Sequence, residues 1–502
     1  MTPPAAIKYT ALALFVAVFV SNAYFVQGSG INQNSRFDLV RAIVEEGRFT
    51  IDTYAANTFD RSFKGGHYYT DKAPGLSFAS VLPYGVFHAV GWPRPERAAA
   101  MHAVTVIVID TATSLAAAFL FLTLHGMGVR RLLAALAAAA WALGTNAFAY
   151  ATLYFAHQFV AALLMGAFCL LHAAKTGREA AGARWPVPVA GALASWATIS
   201  EYPAAVACVF LFLYGIVVLD WRRMVPFVLG GAAPLLLLMG YNAACFDNPF
   251  TLSYTYFAEE HLKEVVDRGL FGVGVPRLRP LGQIVFGEMR GLLPLSPFLL
   301  FALPGAVDMA RDTKVRSEGW LAIGMTAYFL LLSASHLRWR AGASMGPRYA
   351  VPMLPFAVLL AGRGFERVRR MRAPYGAASM AACLLLVGWS IAICTMAVAV
   401  MPEFADQRFV LSPSPEISAP DMLHPLSTFV LPLFRHGYLS VKGVTPSGML
   451  GLAYTAQGHE WDAFNLGEAA GLRGLWSLVP LGVVWTAALG IILEVGGKKS
   501  AG

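Results

Sequence analysis

Apolar segments of spanning length recur through the whole chain, and no other feature narrows its fold as far. Runs of roughly 17 to 25 residues, the length a helix needs to cross the hydrocarbon core of a bilayer, lie near 8–27, 99–124, 132–151, 153–174, 186–201, 202–219, 224–245, 289–310, 320–336, 349–362, 375–401 and 475–496. The pattern predicts an all-α polytopic membrane protein with about twelve transmembrane helices. Composition supports this: 57% hydrophobic and only 13% charged residues, with a mean hydropathy of +0.57, exclude a soluble globular domain. Met1 to Gln27 begins as a signal peptide does, but its apolar stretch from about Tyr9 to Val26 is long enough to span and lacks an A-x-A site. It reads as a retained anchor helix.

The net charge of +9 does not point to nucleic acid. Lys and Arg sit in short clusters between the apolar runs, as orientation signals do, not on one face. Those clusters also settle the one ambiguous run, 76–92, which is short and broken by Pro83. If 76–92 does not cross, Arg130-Arg131, Lys175/Arg178/Arg184, Arg222-Arg223, Arg311/Lys314/Arg316, Arg363 to Arg372 and Lys498-Lys499 all fall in the cytoplasm. If it crosses, the bias runs backwards. The expected arrangement therefore has both termini cytoplasmic and 76–92 as a helix at the outer interface. Regions 28–98, 246–288, 337–348 and 402–474 are then left on the outer face. Three parts follow: a transmembrane core over 1–401 with the outer loop 28–98, an outer lobe over 402–474, and a last helix with tail over 475–502. The five cysteines lie in or beside apolar runs without a CxxC, so they read as core residues.

Chemistry is expected in the first outer loop, where twelve charged residues are packed between apolar segments. Ser35 to Asp38 reads as a capping box opening a short helix that ends at Gly47, lying flat on the membrane. That leaves Asp52 and Asp60 without a local role. Asp71-Lys72 precede Ala73-Pro74-Gly75 at the start of the interfacial helix, a place suited to an anion such as phosphate. A simple loop ion pair is the competing reading. Arg348, in Gly346-Pro347-Arg348-Tyr349, offers a planar fork for two phosphate oxygens or else snorkels at a helix end. Glu201, at the junction of two apolar runs, is costly enough to suggest function, with a helix cap as the alternative. His157 near the outer end of its helix is a structural residue or a site residue. No HExxH, DxD, Walker loop or G-x-S-x-G pattern occurs in an outer loop, so neither a metal nor another cofactor is signalled.

Taken together, these motifs resemble the GT-C superfamily of polyprenyl-phosphate-dependent glycosyltransferases, most of all its protein mannosyltransferase and aminoarabinose transferase branch. Asn32-Gln33-Asn34-Ser35-Arg36-Phe37 falls where that branch has Asp-Glu-x-Arg-Tyr, and Asp71-Lys72-Ala73-Pro74 where it has Glu-Lys-Pro-Pro. Gly66-His67-Tyr68-Tyr69-Thr70-Asp71-Lys72 and Gly346-Pro347-Arg348-Tyr349 look like further pieces of the pattern. The resemblance implies a sugar donor on a polyprenyl phosphate, held by Arg36, Lys72 and Arg348, with His67, Tyr69 and His157 as further substrate contacts. It implies a glycan, lipid or protein acceptor at the outer face of a bacterial inner membrane, with membrane lipid around the core. The chain departs from the family at the acid-base position, where Gln33-Asn34 stand for Asp-Glu. Asp60, Asp71 or Glu201 then serves as the catalytic carboxylate, or the chain does not catalyse. A lipid-linked sugar transporter and a non-catalytic sugar-lipid binding protein are the competing classes. The rarity of charges within the spans and the lack of paired broken helices weigh against the transporter.

Overall fold

A computed structural model of the chain describes residues 3–27, 30–92, 97–177, 185–287, 291–341, 345–400 and 464–497. The protein is a multi-pass membrane protein built almost wholly of helices. Among the described residues, six helices are long and apolar enough to cross a bilayer: Ala5–Ala23, Ala99–Gly126, Ala156–Thr176, Arg222–Phe246, Tyr375–Ala399 and Gly474–Glu494. Arg131–Leu143 and Ala204–Leu219 are apolar but shorter. The other runs that the hydropathy pattern treated as spans are short or carry charge. Pro186–Ser200 has 15 residues, while Arg316–Ser335 and Leu354–Arg369 include Glu318 and Arg363. The run at 289–310 breaks at Ser296-Pro297 into Leu292–Leu295 and Ala302–Arg311.

The helix Ala156–Thr176 is buried along almost its whole length. It packs against Thr111–Gly126, Pro186–Ser200 and Leu354–Arg369. Two crossings bring backbones into direct contact. A Cβ on Gly191 would strike the Phe227 carbonyl and one on Gly230 the Pro188 carbonyl; Gly305 and Gly364 meet Leu360 and Phe301 in the same reciprocal way. Close approach of this kind gives membrane helices the van der Waals packing that the hydrophobic effect does not supply in lipid. The cysteines of the described chain are free, four of them buried.

The first loop opens with helix α2 (Ile31–Glu46), which follows helix α1 (Pro3–Ala23) and the two-residue strand β1 (Phe25–Val26). The helix ends as the sequence suggests, at Gly47 with φ 66°. Its start does not follow the capping-box reading: α2 begins one turn earlier, after Gly30, so Ser35 and Asp38 lie inside it and are buried. Their side chains serve tertiary contacts instead, Asp38 accepting from Asn57 Nδ2 at 3.3 Å and Ser35 meeting Thr70 Oγ1 at 2.7 Å. The helix is roofed by protein rather than exposed along one face, with Asn32 to Val40 buried.

Strands β2 (Arg61–Lys64) and β3 (His67–Thr70) form an antiparallel hairpin that leads into helix α3 (Gly75–Ala89). A Cβ on Gly75 would clash with Ser200 and Ile199, so the start of α3 rests directly on the end of Pro186–Ser200. One side of α3 is buried at Leu76, Ser77 and Ser80, while Leu82 and Val86 are exposed, the two-sided pattern expected of an interfacial helix. The second outer region joins this loop: Ser62 bridges Phe257, and Ser62 Oγ donates to the Ser253 carbonyl at 2.7 Å. It also joins the third, through Gly274 N–H to Ser335 O at 3.0 Å and Leu337 N–H to Gly272 O at 2.9 Å. The outer lobe proposed for 402–474 lies outside the described residues up to 463; its end, strand β4 (Phe464–Asn465), pairs with β1.

Candidate active site

Lys72 is the centre of the polar cluster. Its Nζ lies 2.8 Å from Asp60 Oδ2 and 2.9 Å from Asp71 Oδ2. The hairpin accounts for this placement, since Asp60 precedes β2 and Asp71 follows β3, and the antiparallel register pairs Arg61 with Thr70. Two residues eleven positions apart are thereby brought side by side. The Asp71 side chain is fully buried, while Asp60 keeps 22% of its side chain exposed. Further contacts hold the carboxylates: Asn32 Nδ2 donates to Asp60 Oδ2 at 3.4 Å, and Ser35 Oγ donates to Asp71 Oδ1 at 3.4 Å. Ser253 Oγ donates to the Asp71 carbonyl at 2.7 Å.

These surroundings divide the two acids. Burial pushes the Asp71 carboxyl up to about 6, opposed by Lys72 and reinforced by Asp60. Burial acts on Asp60 in the same direction, but the Lys72 ammonium outweighs it, with Arg348 and Arg36 assisting, and holds that carboxyl below its ordinary value. Burial works against the charged form of Lys72, and the two carboxylates outweigh it. The trio is thus a cation shared by one firmly ionised and one reluctant carboxylate.

Arg36 is one of the largest fully buried side chains. Its guanidinium is committed to protein partners: Asn32 Oδ1 at 3.2 Å, the Ala73 carbonyl at 3.1 Å, the Ser200 carbonyl at 3.4 Å and Glu201 Oε1 at 2.5 Å. Glu201 therefore has a specific cationic partner, and Arg36 fastens α2 to both the start of α3 and the end of Pro186–Ser200. His157 Nδ1 lies 3.9 Å from the same Glu201 oxygen. Its ring sits among Tyr150, Phe155 and Tyr349, with centroids 6.0, 6.0 and 5.9 Å away.

Arg348 packs over the faces of Phe155 at 5.3 Å and Tyr349 at 5.5 Å, a cation–π arrangement that leaves its charge electrostatically coupled to Asp60. The Tyr349 ring also stacks against His336, with centroids 4.7 Å apart. His67 and Tyr69 are not part of this cluster. His67 lies exposed at the turn end of β3 and bonds Asp52 at 2.8 Å, and the Tyr69 ring packs on Phe246 at 5.5 Å. Asp52 also accepts from the Tyr68 N–H at 2.7 Å, which gives it the local role that was not visible in sequence.

Asp60, Asp71, Lys72, Arg36, Glu201, His157 and Arg348 therefore occupy one electrostatic neighbourhood. Sequence reasoning missed Phe155 and Ser253, and although Asn32 and Ser35 lay within the motif around Arg36 it did not see that they contact Asp60 and Asp71; Tyr349 was marked by its adjacency to Arg348. Among the described residues no group of three or more His, Cys, Asp or Glu is placed to hold a metal ion.

This architecture, helices around a buried first loop, is similar in fold to solved archaeal oligosaccharyltransferases. The Archaeoglobus fulgidus oligosaccharyltransferase in its apo form matches with a TM-score of 0.52 at 11% identity, over 82% of this chain and 59% of that one. The same organism's oligosaccharyltransferase AglB, solved with an inhibitory peptide and a dolichol-phosphate, matches with a TM-score of 0.50 at 12% identity, over 77% of this chain and 56% of that one. ArnT from Cupriavidus metallidurans, bound to undecaprenyl phosphate, aligns over 99% of this chain and 76% of that one at 18% identity, with a TM-score of 0.48. The chain thus spans less than two thirds of the archaeal enzymes' length, and the likeness is one of fold. No family model matches the chain, and no curated protein matches it by sequence.

Proposed function

We propose that the chain is a glycosyltransferase that moves a sugar from a polyprenyl-phosphate donor to a glycan, lipid or protein acceptor at the outer face of the bacterial inner membrane, with both termini cytoplasmic. The observation that carries this reading is Lys72, held between Asp60 and Asp71 at the start of an interfacial helix and coupled through Asp60 to Arg348. The lipid tail stays in the bilayer beside α3 while Lys72 and Arg348 bind the phosphate. In transfer the bond between the anomeric carbon and the phosphate oxygen breaks, its electron pair stays on the phosphate, and the two cations stabilise that charge. The acceptor hydroxyl or amine forms the new bond to the anomeric carbon and releases its proton to a carboxylate.

Asp60 suits that last role better than Asp71, because part of its side chain is exposed while Asp71 is closed off. In the empty site Lys72 holds Asp60 ionised and weakly basic. A bound phosphate competes for the same ammonium, so donor binding strengthens the base at the moment it is needed. Arg36 acts by position, holding Glu201 and the loop rather than the phosphate.

A second reading, sugar-lipid binding without transfer, is favoured by Gln33-Asn34, amides that cannot accept a proton as the family's Asp-Glu pair does. One experiment tests both. Purified protein is given a radiolabelled polyprenyl-phosphate sugar and an envelope extract as acceptor. Transfer that falls at least about a hundredfold in Lys72→Ala and Arg348→Ala supports the proposal; intact transfer in both overturns the phosphate assignment, and lipid binding without transfer in the unmodified protein favours the second reading.

A further inference from the structure

Asp110 lies 1% exposed inside Ala99–Gly126, one of the helices long and apolar enough to cross a bilayer, where a carboxylate without a cation is costly. No charged group among the described residues acts on it. It ends a π-helical turn, Val106–Asp110, set between Arg97–Thr105 and Thr111–Gly126. Turns of this kind are frequent at functional positions. This one brings the acid to Asn22 in the last turn of α1, itself 1% exposed, whose Nδ2 donates to Asp110 Oδ1 at 2.8 Å.

The two carboxyl oxygens of Asp110 have unlike surroundings. Oδ1 accepts from Asn22 and also from Ser114 Oγ at 3.0 Å. Oδ2 has no hydrogen-bond partner, and neither has the amide oxygen of the same Asn22. An ionised carboxylate accepts at both oxygens, whereas a protonated acid has one oxygen that accepts and one hydroxyl that donates. The second description fits: Oδ1 takes two donors, Oδ2 has a proton to give, and Asn22 Oδ1 is the acceptor left over. A water between the two oxygens would pair both and still leave a negative charge among apolar helices without a cation. A sodium ion would balance that charge but, as a hard cation, needs several oxygens. The Thr105, Thr111 and Thr113 hydroxyls nearby are bonded to the Met101, Val106 and Ile109 carbonyls.

We infer that Asp110 is a proton-binding site, neutral in the folded protein, whose Oδ2–H donates to Asn22 Oδ1 so that acid and amide close a ring of two hydrogen bonds. The ring fastens α1 to Thr111–Gly126 without placing a charge between the helices. On the adjoining residue, Trp485 Nε1 donates to Ser21 Oγ at 2.7 Å, so the last turn of α1 is held by Asp110 and by the helix Val479–Gly497 as well. Since α1 runs through β1 into α2, the proton on Asp110 helps fix where the first loop begins. This goes beyond the transferase reading and does not depend on it.

The test uses the full chain in phospholipid nanodiscs. At neutral pH, the infrared difference spectrum between the unmodified protein and Asp110→Asn should contain the carbonyl stretch of a protonated carboxyl, shifted in heavy water and missing from the variant. The thermal midpoint of Asp110→Asn should lie within about 2 °C of the unmodified protein, because two amides close the same ring. Asn22→Leu breaks the ring and should lower the midpoint by several degrees. Sodium chloride and choline chloride at equal concentration should give equal midpoints. A difference spectrum that holds only ionised-carboxylate bands overturns the inference. So does an unchanged midpoint in Asn22→Leu, or an Asp110→Asn variant that fails to fold or loses as much as Asn22→Leu. A midpoint raised by sodium in the unmodified protein and not in Asp110→Asn overturns it too, and assigns the site to that cation.

Discussion

Asp71 and Asp60 share one cation but differ in burial and in the pull of Arg348, which acts on Asp60, and that difference sets a measurable pH response. The Asp71 carboxyl stands at about 6 against an ordinary 3.8, so between those values the folded protein holds its proton more tightly than the unfolded chain does. Stability from this group is therefore full below the lower value and is lost as pH rises through the upper one. Asp71→Asn removes the ionisation. Its unfolding free energy relative to the unmodified protein should be nearly unchanged at pH 4 and higher at pH 8, by at most about 3 kcal/mol, with the thermal midpoint moving in the same direction. An equal effect at both pH values would show that Asp71 stays charged throughout. The adjacency of Asp71 and Lys72 was legible in the sequence. The third member was not, because Asp60 reaches Lys72 only through the register of a hairpin whose strands are four residues each. Arg36 was legible as important, but its ion pair was not, since 165 positions separate it from Glu201.

Helices were easier to find than their ends and their partners. Long apolar runs identified the spans, but hydropathy is blind to how closely two helices approach. Ser35 and Asp38 have the spacing of a capping box, and the helix nevertheless starts earlier because neighbouring loop segments supply Asn57 and Thr70 as partners for them. The glycine crossings make the clearest prediction on this scale. Gly364→Val places branched carbon against the Phe301 carbonyl and the Gly305 backbone, where no neighbour is a flexible side-chain end that can yield. It should lower the thermal midpoint in detergent strongly, with a loss of about 2 kcal/mol or more. Gly388→Val, on the helix Tyr375–Val400 with nothing within 4 Å of the added atom, is the matched control and should change the midpoint little. Equal losses in the two variants would mean that helix propensity, rather than close approach, decides the cost.

On the scale of the whole molecule, three regions far apart in sequence, all expected on the outer face, are tied into one roof. Residues 62 and 253–257 join the first region to the second, and residues 272–277 join the second to the end of Arg316–Ser335. The sequence placed these regions on one face by counting basic loops, but their mutual contacts, backbone pairings together with ion pairs such as Arg61–Glu259 and Lys64–Asp247, join residues too far apart in the chain for any spacing to mark them. Arg36 helps fasten this roof to the helical core, through the Ser200 carbonyl and Glu201, and ties α2 to the Ala73 carbonyl within the roof. Replacing it leaves Glu201, whose side chain is only 16% exposed, without its cation. Arg36→Leu should therefore destabilise the protein by about 3 kcal/mol, and because Glu201→Gln removes the stranded charge, the double variant should recover part of that loss. The decisive measurement pairs thermal unfolding with limited proteolysis of the 48–60 segment. A roof fastened by Arg36 is cleaved faster in the single variant than in the double. A variant that keeps its thermal midpoint and protease resistance but loses lipid binding would instead make Arg36 a phosphate ligand, returning it to the role that its place in the motif first suggested.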